Sequence, residues 1–530
     1  MLDKDRGLYI AHCANGALSI TGKMANRHGL IAGATGTGKT VTLQVMAETF
    51  CQAGVPCFMA DMKGDLSGIS QVGRLSGFIE KRLPEFGIEN PEFQACPVRL
   101  YDVYGEQGHP MRATISQMGP LLLSRLMQLN ETQAGVLTIV FRIADERGLQ
   151  LIDVKDLRAM LDWVSQHAKE YRTKYGTVTS MTVGSIQRAL LQLEAQGADK
   201  FFGEPSFDIY DLMQCEGGKG VMSVLAADKL MMQPKLYSTF LLWLMSELYS
   251  TLPEVGDLPL PKLVFFFDEA HMLFTDTSKA LLDKIEQVIR LIRSKGVGIY
   301  FITQSPTDIP ENILGQLGNR VQHALRAYTP KDQKAVKTAA DTFRTNPEFK
   351  TDEAIMNLET GEALVSFLDE KGAPSVVERA KILFPLSQIG AITDGQRLDL
   401  IKQSRIYGKY DTPIDRESAF EVLVAEAERQ LAEQEQQTEI EIPKPGKATK
   451  AEKAEKKKPG MMSKVGKAIM TALTSTLAAL LGTWVSDKIS GKKTKSKTSA
   501  KEKVVKNATS AATRTITREL TRDILGNLVK

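Results

Sequence analysis

Short apolar runs alternate with longer segments of helical periodicity through the first 400 residues of this chain. Six of the runs contain only four to six residues and lie at positions 29–33, 57–61, 98–101, 220–225, 263–268 and 298–303. Short, continuous apolar runs are typical of strands that are covered on both faces of a parallel sheet. We therefore predict an α/β fold with a mainly parallel sheet.

A long helical stretch interrupts this alternation. Between residues 112 and 215 the apolar positions recur predominantly at helical spacing, for example in IDVKDLRAMLDWVSQHA. We predict that residues 112–215 form a helical insertion. The insertion divides an α/β core into a first part, residues 1–111, and a second part, residues 216–400.

The composition changes after residue 400. Residues 401–442 are rich in Glu and Gln at helical spacing and predict an acidic helical extension. Residues 443–530 combine Lys- and Pro-rich stretches with two further helical patterns and predict a low-complexity basic linker and tail. This last segment holds 21 Lys and Arg against 6 Asp and Glu, whereas the rest of the chain holds 46 against 57. Any basic surface for nucleic acid or anionic lipid is therefore expected in the tail.

One segment of the tail, residues 468–485, raises the question of a membrane. Its 18 residues carry no charge and reach the lower end of the length that spans a bilayer. Its larger apolar side chains recur at helical spacing among five Ser and Thr residues. We favour docking or self-association for this segment, with attachment to a membrane surface and true spanning as the alternatives.

The remaining composition is typical of a cytoplasmic protein. The first 29 residues carry six charged side chains and lack the apolar core of a signal peptide. The five cysteines show no metal-binding spacing, and an odd, sparse set fits reduced thiols better than a disulfide framework. We therefore predict a soluble, cytoplasmic protein.

A glycine-rich phosphate loop is encoded directly after the first apolar run. The Walker A motif GxxxxGK[ST] is matched by Gly33, Ala34, Thr35, Gly36, Thr37, Gly38, Lys39 and Thr40. A strand pattern precedes the motif and a helix pattern follows it, as the motif requires. Glycines let backbone N–H groups surround phosphate oxygens, and the helix N-terminus adds partial positive charge. We expect Lys39 to contact the β- and γ-phosphates of ATP and Thr40 to bind Mg²⁺.

A second apolar run ends in two acids, as a Walker B motif does. Residues 263–267 are followed at once by Asp268 and Glu269. Asp268, at the carboxyl end of a buried strand, is expected to bind Mg²⁺ directly or through water. Glu269 is the candidate base that polarises the attacking water. The presence of both carboxylates favours hydrolysis over nucleotide binding alone.

Two further strand ends carry polar side chains. Gln304 follows the run at 298–303 and is a candidate for sensing the γ-phosphate or orienting the water; the alternative is a turn residue before a proline. Lys63 and Asp65, in DMKGD after the second run, are expected to face the same crevice. The alternative for this pair is a turn with solvated charges.

Fast phosphoryl transfer also needs a cation beyond Lys39 and Mg²⁺. The candidate arginine fingers are Arg290, Arg293, Arg320 and Arg326. For each of them a structural salt bridge is the alternative. A finger that acts in trans implies a ring of subunits.

Five segments together resemble a known family: GLIAGATGTGKT, DMKGDLSG, PKLVFFFDEAHMLF, RLIRSKGVGIYFITQSPTDIP and QLGNRVQHALRAYTPKDQ. They are similar to the HerA/FtsK class of RecA-like motor ATPases, and most of all to the bacterial YjgR-like proteins, which resemble the C-terminal region of the HerA helicase. The resemblance covers about residues 5–390. It implies a RecA-like P-loop fold, ATP and Mg²⁺, and the catalytic set Lys39, Thr40, Asp268, Glu269 and Gln304. It also implies a hexameric ring that translocates double-stranded DNA.

The resemblance has one departure. HerA helicases begin with a β-barrel domain that docks a nuclease, whereas 32 residues precede Gly33 here. We therefore do not expect a nuclease partner. The leading hypothesis is an ATP-driven DNA motor. The alternative is an ATPase that acts on protein or at a membrane surface through its tail, with residues 468–485 as the contact.

Overall fold

The structure is a computed structural model and describes residues 2–3, 7–275, 277 and 279–440. The predicted basic linker and tail, including residues 468–485, lie outside the described residues. The chain divides into two compact units, Met1–Leu423 and Val424–Lys530. The described elements belong to the first unit, apart from the end of the last helix. Among the described helices, none is both long enough and apolar enough to cross a bilayer.

Thirteen of the described strands form one sheet. The strands are β1 (Leu2–Asp3), β2 (Gly7–Cys13), β3 (Gly16–Ile20), β4 (Gly29–Ala32), β5 (Cys57–Asp61), β6 (Val98–Asp102), β7 (His109–Pro110), β8 (Cys215–Glu216), β9 (Lys219–Gly220), β10 (Met222–Ala226), β11 (Leu263–Phe267), β12 (Val297–Thr303), β13 (Asn319–Gln322), β14 (Glu362–Ser366) and β15 (Glu378–Ile382). The order in the large sheet is β1-β2-β15-β14-β13-β4-β12-β11-β5-β10-β6-β7, with β3 paired to β2. Strands β8 and β9 form a separate hairpin.

The helices lie between these strands and after them. They are α1 (Lys39–Gln52), α2 (Gly77–Phe86), α3 (Ile115–Leu126), α4 (Glu131–Glu146), α5 (Val154–Gln166), α6 (Ala168–Tyr175), α7 (Ser180–Glu194), α8 (Ala198–Phe201), α9 (Asp228–Met231), α10 (Pro234–Thr251), α11 (Lys279–Ile292), α12 (Glu311–Leu314), α13 (Pro330–Asp341), α14 (Thr351–Met356), α15 (Asp394–Gln403) and α16 (Ala419–Ile440). Short 3-10 helices connect several of them, including Ala270–Leu273 directly after β11.

The six runs predicted as strands form the centre of the sheet. In the order β4-β12-β11-β5-β10-β6 every neighbouring pair is parallel. All five residues of β11 and all seven of β12 are buried, as expected for strands covered on both faces. The observed bounds differ from the predicted runs by at most two residues, and β5 matches its predicted run. The predicted α/β class with a mainly parallel sheet is therefore confirmed.

The other flank of the sheet was not predicted. Strand β13 adds parallel to β4, and β14, β15 and β2 then follow as antiparallel neighbours. Strand β15, with the sequence ERAKI, alternates buried and more exposed positions. A strand with one wetter face carries polar residues at every second position, so that it contains no continuous apolar run to recognise.

Helix α1 is packed into the core of this sheet. The ring of Phe50 lies 6.4 Å from that of Phe266 and 6.0 Å from that of Tyr300, measured between centroids. The carboxylate of Glu48, also buried, accepts hydrogen bonds from the backbone N–H groups of Leu386 and Ser387 at 2.8 and 3.0 Å. Burial of an aromatic side chain such as Phe50 stabilises the fold by about 2–3 kcal/mol. The core thus fixes the helix that follows the phosphate loop.

Between β7 and β8 the described elements are helical, from α3 to α8 and a 3-10 helix at Ile209–Met213. Three of the helices begin with a capping box, at Thr114, Asn130 and Asp153. Helices α4, α5 and α7 pack on one another, and α3 packs on α10. The division into domains at residues 112 and 215 remains a prediction.

Candidate active site

A cavity of about 270 Å³ opens at the carboxyl end of the parallel strands. Polar and glycine residues of four segments line it: Thr35, Gly36, Gly38, Lys39, Thr40, Lys63, Asp268, Glu269 and Thr360. The apolar part of the wall is formed by Val41, Leu43, Leu66 and Ile302. The structure therefore brings the glycine-rich loop and the two acids together, although 229 positions separate Lys39 from Asp268 in the sequence.

The glycine-rich loop is fixed to the strands on both sides of it. The N–H of Gly33 donates to Thr303 O at 3.2 Å, and the N–H of Ala34 donates to Ala324 O at 2.9 Å. Gly36 and Gly38 have φ angles of 79° and 114°, in the left-handed region that residues with a Cβ rarely adopt. These contacts and angles turn the chain sharply between β4 and α1, which begins at Lys39.

The ammonium group of Lys39 lies over this loop. Lys39 Nζ donates to Gly33 O at 2.6 Å and to Ala34 O at 3.1 Å. Burial lowers the pKa of Lys39, and the nearby carboxylates of Glu269 and Asp268 oppose this effect. Thr40, in the first turn of α1, presents its side chain to the same cavity.

A buried histidine supports the loop from beneath. His323 Nδ1 donates to Glu362 O at 2.9 Å, so that Nε2 accepts from the hydroxyl of Thr42, 2.8 Å away. Burial lowers the pKa of His323 to about 4, and the ring is therefore neutral at physiological pH. A Cβ on Gly33 would lie 2.5 Å from the Cβ of His323, so that the loop and the ring pack too closely for a larger residue.

The two acids after β11 are held in a strained turn. Glu269 has a φ of 49°, a left-handed conformation that costs a residue with a Cβ about 1–2 kcal/mol. The N–H of Glu269 donates to Asp268 Oδ1 at 2.9 Å. Burial, and then the charge of Glu269, raise the pKa of Asp268 to about 6. Glu269 Oε2 is buried and accepts no hydrogen bond from any described residue, although His271 Nδ1 lies 3.3 Å away.

Two side chains outside the motifs position these acids. The hydroxyl of Tyr237, which is fully buried on α10, donates to the backbone oxygen of Asp268 at 2.9 Å. Arg125, on α3, donates to Leu273 O at 3.2 Å and to Ser238 Oγ at 3.1 Å. The helical region between β7 and β8 is thereby connected to the 3-10 helix that follows Glu269.

The helicase HerA-like C-terminal family model matches residues 8–530 of this sequence. The chain belongs to this family. The prediction of a P-loop ATPase of the HerA/FtsK class is thus confirmed, whereas the narrower likeness to YjgR-like proteins remains a prediction.

The HerA-like chain also matches two curated relatives over short segments. It is 30% identical over 99 residues to the DNA double-strand break repair helicase HerA of Sulfolobus acidocaldarius, which is 18% of this chain and 19% of that protein. It is 33% identical over 109 residues to the protein of the same name from Sulfurisphaera tokodaii, which is 20% of this chain and 21% of that protein. The chain thus matches about a fifth of the length of these relatives.

A solved structure of the bacterial conjugative coupling protein TrwBdeltaN70 is similar to the HerA-like chain with a TM-score of 0.48. The sequences are 15% identical, and the match covers 73% of this chain and 91% of the other.

In the HerA-like chain, Gln304 lies at the carboxyl ends of the parallel strands, but it is not among the residues that line the cavity. It directly follows β12, the strand between β4 and β11, and its side chain is exposed. Three residues of the Walker A motif do not line the cavity, namely Gly33, Ala34 and Thr37, but they contribute to the conformation of the loop. Thr37 does so by donating from its hydroxyl to Ala34 O at 2.7 Å.

The four candidate arginine fingers of the HerA-like chain all lie outside the described lining of the cavity. Arg320 is held by three backbone oxygens, those of Leu317, Thr342 and Leu314, at 2.8–2.9 Å. Arg290, Arg293 and Arg326 are exposed. Arg290 forms an ion pair with Glu286, which is the structural alternative named for it, and Arg326 Nη1 donates to Met356 O at 3.2 Å. A role of any of the four as an arginine finger remains a prediction.

Sequence reasoning missed Tyr237, Arg125 and His323 as site residues. His323 lies in a segment that carries the family resemblance, but the pattern gave it no role. Tyr237 and Arg125 lie within apolar helical patterns, where one polar side chain is indistinguishable from an ordinary surface or core position. Their function in the site depends on long-range contacts to backbone oxygens, which no local motif encodes.

Proposed function

We propose that this chain hydrolyses ATP with Mg²⁺ and couples the reaction to movement along DNA or to DNA unwinding. The observation that carries the proposal is the shared cavity, in which Lys39 and Thr40 face Asp268 and Glu269. A glycine loop alone binds phosphate, and the acid pair adds the means to activate water.

The residues present fit a magnesium ion. The Thr40 hydroxyl and an Asp268 carboxylate oxygen are hard oxygen ligands, and Mg²⁺ is typically bound by one or two such groups together with phosphate oxygens and water. The ion, when bound, neutralises the charge on the phosphates.

The protein groups divide the remaining work. Lys39 exchanges its contacts with Gly33 O and Ala34 O for phosphate oxygens, and the loop N–H groups bind the same oxygens. Glu269 accepts a proton from the attacking water through Oε2, which accepts no hydrogen bond from the described residues. The water oxygen then bonds to the γ-phosphorus as the bond to the β–γ bridging oxygen breaks, which releases ADP and phosphate. Through its hydrogen bond to the backbone oxygen of Asp268, Tyr237 holds this residue in place beside the glycine-rich loop.

DNA is proposed as the substrate of the motor because the two matched relatives are DNA repair helicases by name. A hexameric ring is proposed with it, since exposed arginines, among them Arg326, lie outside the lining of the chain's own cavity. A neighbouring copy would then supply the cation that fast turnover requires.

The test measures ATP turnover by the full-length protein with duplex DNA, single-stranded DNA, RNA or liposomes added, and uses Lys39→Ala as the blank. The proposal expects duplex DNA to raise kcat, with stimulation that weakens as salt rises, because phosphate contacts release counterions. Stimulation by liposomes alone would favour the alternative of an ATPase at a membrane surface. Turnover equal to that of the blank would refute ATP hydrolysis itself.

A further inference from the structure

A second lysine lies in the nucleotide cavity and belongs to neither Walker motif. Lys63 follows β5, and among the described residues that line the cavity it and Lys39 are the cations. Strand β5 is the direct neighbour of β11, and their register pairs Met59 with Phe266. Asp61 and Asp268 therefore end the two strands side by side, with Lys63 in the turn just beyond.

This turn is rigid. Asp61 Oδ2 accepts hydrogen bonds from the N–H groups of Leu66 and Ser67 at 3.1 and 3.2 Å. Ser67 Oγ donates to Gly64 O at 3.2 Å, and Gly64 has a φ of 74°. The backbone that carries Lys63 is thus fixed by a buried carboxylate and by a glycine turn.

The Lys63 side chain itself is exposed and makes no hydrogen bond or ion pair with the residues described. Its ammonium group nevertheless belongs to the site, since Lys63 lines the cavity together with Lys39 and Asp268. A lysine that served only stability would be expected to pair with a carboxylate of its own turn, such as Asp65. Lys63 instead faces the cavity without a protein partner.

We propose that Lys63 binds the terminal phosphate of the nucleoside triphosphate and supplies, within one subunit, a second cation for phosphoryl transfer. The inference rests on the proposed ATP hydrolysis and deepens it. Lys39 approaches from the glycine-loop side, and Lys63 approaches from the acid side, next to Asp268. A diphosphate lacks the group that Lys63 would bind, so the residue distinguishes ATP from ADP and holds the γ-phosphate in line with the water near Glu269.

The experiment compares Lys63→Ala, Lys63→Arg and, as the matched control, Lys169→Ala, which removes an exposed lysine from α6 far outside the cavity wall. Dissociation constants for ADP and for a slowly hydrolysed ATP analogue are measured with Mg²⁺ by calorimetry, and kcat is measured separately. Lys63→Ala is expected to weaken the binding of the analogue about tenfold and the binding of ADP by less than about twofold. It is expected to lower kcat by about 10–100-fold, which is a smaller loss than that caused by removing an arginine finger. Lys63→Arg is expected to restore most of the difference, because its cation reaches the same phosphate.

The outcomes separate the two proposals. A Lys63→Ala protein that binds both nucleotides and turns over like the wild type, while Lys39→Ala is inactive, overturns the role of Lys63 and leaves the proposed function standing. If Lys63→Ala weakens the binding of ADP and of the analogue equally, the proposed role is also overturned. That result would mean that Lys63 attracts any nucleotide through its charge and does not recognise the γ-phosphate. A wild-type protein that binds no nucleotide overturns both.

Discussion

The helical region from α3 to α8 and the nucleotide cavity follow different rules within one folded unit. In the helical region the local chemistry agrees with the structure: helices start at capping boxes on Thr114, Asn130 and Asp153. Even its one described non-glycine residue with positive φ, Gln128, lies two positions after the end of α3, where helices commonly turn left-handed.

The cavity departs from these rules repeatedly. Glu269 is left-handed within the site, and buried oxygens of Glu269 and Asp61 accept no hydrogen bond from the described residues. Burial raises the pKa of Asp268 and of Asp61 to about 6 in each case, although it does the same for Asp153 at the start of α5 in the helical region. Natural proteins tend to break local rules at functional sites and compensate elsewhere. We infer that the packing of the helical region stabilises the fold, whereas the conformations and buried charges of the cavity destabilise it and serve the site.

The largest effect is expected at Glu269, where a substitution should lower activity strongly and leave stability nearly unchanged. Glu269→Gln keeps the shape of the side chain but removes the base, and we expect kcat to fall about 10²–10⁴-fold. The free energy of unfolding should change by less than about 0.5 kcal/mol, because Oε2 has no hydrogen bond to lose. Steady-state turnover and urea unfolding of the same preparation measure both quantities. Unchanged turnover would remove Glu269 from the mechanism.

The opposite result is expected in the helical region. Leu157, which is fully buried on α5 and packs towards α7, leaves a cavity when it is replaced by Ala. We expect Leu157→Ala to lower the free energy of unfolding by about 3 kcal/mol. Turnover per folded molecule should stay within about twofold, since no side chain of the site is touched. A loss of turnover without a loss of stability would contradict the division between the two regions.

A pH test addresses the buried acid at Asp61. Its folded pKa of about 6 exceeds the ordinary value of 3.8, so that the folded protein binds this proton more tightly than the unfolded chain does. The resulting stability is present in full below about pH 4 and is lost as pH rises through 6. Asp61→Asn should therefore flatten the fall in the free energy of unfolding between pH 4 and 6, by about 2 kcal/mol. Parallel slopes for the two proteins would show that Asp61 ionises normally.

The smallest effect is expected at a helix cap. Asn130 accepts from the N–H of Gln133 at 2.9 Å, and Asn130→Ala should cost about 1 kcal/mol of stability. Turnover should not change. The Asn130→Ser variant, which keeps a capping oxygen, is the control and should recover most of the loss in thermal unfolding.

The centre of the fold was predictable because its signals are local. The six parallel strands are continuous apolar runs, and the glycine loop and acid pair are contiguous motifs at their ends. In the antiparallel flank, β15 was missed because it alternates polar and apolar residues. Strands β2 and β14 were missed although each is mostly buried and contains an apolar run. The roles of Tyr237 and Arg125 were missed because each depends on a partner at a distant position, namely Asp268 and Leu273.

Lys63 lies between these cases. Its motif was visible and its position at a strand end was expected, but the sequence left a solvated turn as the alternative. Only the register between β5 and β11 brings the turn beside Asp268.

Strand β12 separates the strand that leads into the glycine loop from the strand that leads into the acids. Neighbouring strands are spaced by about 4.8 Å, which places the two halves of the reaction centre about 10 Å apart at their roots. Because all seven residues of β12 are buried, the distance between these two strands cannot change without unfolding the centre of the sheet. Any control over the timing of the proposed ATP hydrolysis must therefore act on the turns above the strands and leave the spacing of the strands unchanged.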